Sequence, residues 1–149
     1  MTLAQLLPRW ALHRSMLILV VSFLGLLASG AASGLTHHVK PPIICTGGGQ
    51  LCNNPETFDH IFPTAGVALV RFTPGPLTCS DFRIHFFVDG TEKNVTDFVG
   101  PGGKTAFVSL GFIGSGIKVT FDMQAEGEVG GCNSGTLGSW DGVAEFEKQ

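Results

Sequence analysis

The chain has 149 residues, of which 44% are hydrophobic and only 14% charged, with 9 Lys and Arg against 12 Asp and Glu. Setting aside an N-terminal stretch that holds Arg9 and Arg14 leaves 7 basic and 12 acidic residues, a net charge of −5. That balance excludes a nucleic-acid partner, which needs a basic patch. About 117 residues remain beyond the stretch, enough for one core and not two.

The first 34 residues read as an export signal. Arg9 and Arg14 make a positive start, residues 16–27 are almost unbroken apolar, and the small-residue run Ala28-Ser29-Gly30-Ala31-Ala32-Ser33-Gly34 forms a cleavage zone between residues 30 and 34. The competing reading is an uncleaved membrane anchor, because residues 16–35 carry no charge over a length close to a bilayer span. The small residues of the second half favour cleavage, hence a secreted protein in an oxidising compartment and no membrane contact after processing.

Residues 35–44 read as a solvated linker ending at Pro41-Pro42, with the domain proper at residues 45–149. His37 adds one chemical option. If cleavage followed Gly34, it would stand third from a free amine and could chelate Cu(II) or Ni(II) in square-planar nitrogen geometry. No metal or cofactor is assigned on that basis. Four cysteines in an exported domain predict two disulfides. Cys45 and Cys52 enclose the flexible run Thr-Gly-Gly-Gly-Gln-Leu and are expected to pair, leaving Cys79 for Cys132. The chain-entropy model gives that second loop, about fifty residues long, roughly 4 kcal/mol. A four-thiolate metal site would need a C-x2-C pair, which is missing.

The domain alternates with period two. Strands are expected at residues 57–62 and 66–72, then at 80–88, where Phe82, Ile84, Phe86 and Val88 take one face. Asp89-Gly90 follows as a two-residue type I′ hairpin turn, returning a strand at residues 91–99. A strand at 104–110 precedes the cleanest one, residues 116–126, with Ile117, Val119, Phe121, Met123 and Ala125 inward. The last covers residues 140–147. Eleven phenylalanines beyond the export segment supply a core, and no window shows helical spacing. About seven short strands predict an all-β, two-sheet antiparallel sandwich of immunoglobulin-like or jelly-roll type. Trp140 lies after Cys132, so the immunoglobulin order of Cys, Trp, Cys is absent.

Short motifs for chemistry fail on inspection. Gly47-Gly48-Gly49 lacks the Lys-Ser/Thr of a phosphate loop. Around Gly114-Ser115-Gly116, Ile113 replaces the first glycine of a nucleophile elbow. His60 and His85 would need an acid such as Asp59 or Asp81 brought alongside. Asn94-Val95-Thr96 is a formal glycosylation sequon. The glycine-rich loop of residues 127–139 is the expected place for function, being too long and polar for a plain hairpin. Asn133, Ser134, Trp140 and Asp141 are its candidate ligand contacts, with tryptophan stacking against a sugar. The reading preferred for Trp140 is nevertheless a core residue at the start of the last strand, and Glu126, Glu128 and Asp141, which could offer oxygens to calcium but lack EF-hand spacing, read as solvated loop carboxylates. The expectation is a non-catalytic binding or adhesion module for a glycan or cell-surface ligand. The alternative is a purely structural extracellular domain.

Overall fold

The computed structural model describes residues 34–46, 49–76, 78–130 and 137–149, which form eight strands and no helix. They are β1 (Leu35–Ile44), β2 (Glu56–Ile61), β3 (Gly66–Pro74), β4 (Phe82–Val88), β5 (Thr91–Val95), β6 (Val108–Ile113), β7 (Lys118–Gly127) and β8 (Ser139–Lys148). One sheet has the order β1-β8-β3-β6 and the other β2-β7-β4-β5, antiparallel throughout. β1 pairs with β8, β2 with β7, β3 with β6 and β4 with β5. Folding one long antiparallel ribbon over itself produces those pairings. The architecture is therefore a jelly roll, with eight strands in two sheets, and not an immunoglobulin-like sandwich.

Alternation decides which face of each strand is buried. Val119, Phe121, Met123 and Ala125 of β7 and Phe82, Ile84 and Phe86 of β4 point inward. They meet Ala68, Val70 and Phe72 of β3 and Trp140, Ala144 and Phe146 of β8. Aromatic rings carry much of this core: Phe121 lies 5.1 Å from Phe146 and 5.3 Å from Phe58, in the tilted and offset geometries that ring quadrupoles favour. The predicted hairpin is present, with Asp89 at φ 49° and Gly90 at φ 74°.

Several expectations need correction. Residues 35–44 are not a linker but β1, an edge strand paired with β8 from Leu35↔Phe146 to Ile44↔Ser139. Pro41 and Pro42 sit in its bulge between Val39 and Ile43, on an edge where a missing N–H breaks no ladder. The domain thus includes these residues and has eight strands rather than seven. The strand expected at 104–110 lies instead at Val108–Ile113, because Gly111, at φ 90°, continues the strand through a bulge. Thr105 meanwhile ties down the segment before it: its N–H donates to the Phe72 carbonyl and its hydroxyl accepts from the Phe72 N–H. Thr96 does the same for Ile84, which ends β5 early at Val95. Ile117 is exposed in the turn before β7 rather than inward.

The Cys45–Cys52 disulfide is present and closes the β1–β2 connection. Cys79 is not a free thiol. Its expected partner, Cys132, lies outside the described residues.

Candidate functional site

Of the four ligand contacts expected in and beside the glycine-rich loop, the described residues include Trp140 and Asp141. Asn133 and Ser134 lie outside the described residues. Trp140 is 1% exposed, packed 6.1 Å from Phe72, so its ring faces the core and cannot stack on a ligand. Asp141 is its neighbour on β8 and therefore points to the opposite face. Its carboxylate lies over Gly75, while the Gly75 N–H donates to the Asp141 carbonyl. Strand alternation thus separates the two described members of the proposed site.

The other sequence candidates are held in structural roles. His85 Nε2 lies 2.7 Å from Glu126 and its Nδ1 3.3 Å from Glu92, so its acids are these and not Asp81. Arg83 also reaches Glu126 at 2.7 Å and stacks over Phe98. His60 packs edge-on to Phe62, and burial lowers its pKa; Asp59 instead meets Lys118 and Thr120. The Ser115 hydroxyl donates to the Pro63 carbonyl. Among the described residues no three His, Cys, Asp or Glu side chains cluster as metal ligands, and Glu126 is engaged by Arg83 and His85 rather than grouped with Glu128 and Asp141. A copper or nickel site at His37 would need backbone nitrogens that lie in the β1 ladder, opposite Glu145 and Ala144. His37 itself bonds Glu56 at 2.8 Å and stacks on Phe58 at 3.8 Å.

These carboxylates do set an acid limit. Glu126 is held below its usual pKa chiefly by the hydrogen bond from Arg83, and Glu145 by bonds from Arg71 and Lys104. A depressed folded pKa contributes stability above the unfolded value, 4.5 here, that is lost as pH falls through the folded value. Urea midpoints should therefore fall once pH drops below about 4.5, and Glu126→Gln or Glu145→Gln should flatten that slope. Their side chains are 20% and 31% exposed, so solvent screening limits each pair to about 1 kcal/mol. Unchanged slopes in both variants would refute the assignment.

The two sides of the sandwich differ. On one, the edge strands β1 and β2 are fastened by the Cys45–Cys52 disulfide, the His37–Glu56 bond and the bond from Asn54 to the Ile44 carbonyl. On the other, the edge strands β5 and β6 run close together, and an open cleft of about 590 Å³ lies along them. Its wall includes Asp89, Thr91, Lys93, Ser109, Leu110 and Phe112. Both edge strands bulge here. Phe86 faces Asn94 and Phe87 faces Glu92, leaving Lys93 as the extra residue. Ala68 faces Gly111 and Leu69 faces Ser109, leaving Leu110. Bulges bend an edge strand and re-aim its side chains, which accounts for the outward turn of Phe112, 73% exposed. The Asn94 amide spans the seam to the Ser109 carbonyl at 3.2 Å.

The residues along the cleft include the Phe112 ring, Thr91, Ser109 and one charge of each sign, and the Ser109 hydroxyl accepts from the Gly111 N–H at 3.2 Å. One oxygen of Asp89 already accepts from the Thr120 N–H at 3.0 Å. Sequence reading missed the site because it joins two edge strands through a register change on each. The available signal was Gly111 inside an apolar run, followed by adjacent apolar Phe112 and Ile113 that break the alternation. No protein-family model matches the chain, and no curated protein matches it.

Proposed function

We propose that this chain is an exported, non-catalytic binding module that takes an amphipathic, sugar-like ligand in the β5–β6 cleft. The observation that carries this reading is Phe112, a large apolar ring 73% exposed on the wall of a cleft framed by two bulges and lined with hydroxyls. A solvated phenyl face beside hydrogen-bonding groups suits the apolar face and hydroxyl rim of a pyranose. The leader-like N terminus and the Cys45–Cys52 disulfide support export. A purely structural extracellular domain is the second reading. It is favoured by the burial of Trp140, which removes the aromatic anchor from the glycine-rich loop.

A glycan array on the purified domain, run with and without calcium and with Phe112→Ala alongside, separates the two. The expected result is retention of a glycan by the wild type and a loss of at least about tenfold in the variant. Its stability should stay within about 1 kcal/mol of wild type, because the ring is exposed. Retention that survives Phe112→Ala would place the ligand elsewhere. No retained glycan in either condition would leave the structural reading.

A further inference from the structure

We infer that the ligand of the β5–β6 cleft is an acidic sugar whose carboxylate pairs with Lys93, an inference that rests on the binding reading above. The basic side chains of the domain are otherwise largely committed. Arg71 and Lys104 both reach Glu145, Arg83 reaches Glu126, and Lys118 reaches Asp59 at 2.7 Å. Lys148 is buried against Thr64 and the Phe62 ring. Among the described Lys and Arg residues only Lys40 and Lys93 make no ion pair or side-chain hydrogen bond, and of these Lys93 alone lines the cleft. It is also the extra residue of the β5 bulge, the irregularity that places this cation on the wall of the cleft.

The charge balance sharpens the assignment. With 7 basic and 12 acidic residues beyond the export segment, the domain as a whole repels anions, so an anion would be held here only by a local, unneutralised cation. The carboxylate that shares the wall, Asp89, already has one oxygen on the Thr120 N–H and lies in the hairpin turn. A ligand that fits this inventory carries an apolar face for Phe112, hydroxyls for Thr91 and Ser109, and a carboxylate for Lys93. A uronic acid unit has all three.

The test uses the domain with oligosaccharides of galacturonate and glucuronate, each paired with its methyl ester, and with sodium acetate as a plain carboxylate. Titration calorimetry and amide shifts report binding and its place. Wild type should bind the acids about tenfold more tightly than the esters, because a charge-assisted hydrogen bond is lost on esterification. Lys93→Gln should erase the difference, and Lys93→Arg should restore most of it. Equal binding of acid and ester would overturn the acidic preference while leaving a sugar-binding cleft. Acetate shifting the same amides at equal concentration would reduce the site to a carboxylate site without sugar recognition. Absence of shifts at residues 91–93 and 109–112 with every sugar would overturn the cleft reading and this inference together.

Discussion

Trp140→Ala is expected to lower the free energy of unfolding by about 3–5 kcal/mol, a large share of the stability of a domain this size. The side chain is 1% exposed, and its ring packs against Phe72, which in turn meets Phe82 edge-on at 5.8 Å. Truncation therefore opens a cavity between the two sheets whose neighbours are themselves rigid rings, and such sites collapse poorly. Trp140→Phe should cost much less, because it keeps most of the volume and removes an indole N–H that finds no hydrogen-bond partner among the described residues. Urea unfolding of the three proteins measures this directly. Tryptophan emission from a chain lacking residues 1–34, which include Trp10, reports on Trp140 alone and should shift to the red on unfolding. A loss below about 1 kcal/mol for the alanine variant would mean that the ring stands on the surface, reviving it as a ligand contact.

The strands whose two faces differ in polarity were legible in the sequence. β7 and β4 alternate cleanly because one face meets the other sheet and the opposite face meets water. The Asp89-Gly90 turn was legible because positive φ at both central positions admits few residue pairs. β1 was hidden by Pro41-Pro42, since proline argues against a strand everywhere except on an edge, and edge position is decided by the rest of the fold. Trp140 was legible only as a preference for the core, because a tryptophan next to a polar loop has its face assigned by the strand's register. The cleft was the least legible feature, because neither bulge means anything until β5 and β6 are known to be edges on the same side of the sandwich.

Gly142→Ala should be as damaging as the tryptophan truncation, although it adds only one methyl group. Gly142 lies on the inward face of β8 between Trp140 and Ala144, opposite Val39 of β1 and Pro74 of β3. Its φ is 154°, and a Cβ there would collide with the Thr73 carbonyl oxygen and the rim of the Phe72 ring. The ring thus occupies the volume that a side chain at position 142 would need. Moving Phe72 disturbs its contacts with both Trp140 and Phe82, and moving Thr73 shifts the β3–β8 ladder. Overpacking of this kind costs about 1–3 kcal/mol and backbone strain at a glycine position about as much again, so a loss of about 3–5 kcal/mol is expected. Gly138→Ala is the matched control: a Cβ there meets nothing within 4 Å, and its effect should stay within about 0.5 kcal/mol. Equilibrium unfolding of both variants decides the matter. If Gly142→Ala proves as mild as Gly138→Ala, the close approach of Phe72 to β8 is wrong, and with it the aromatic packing on which the Trp140 prediction depends.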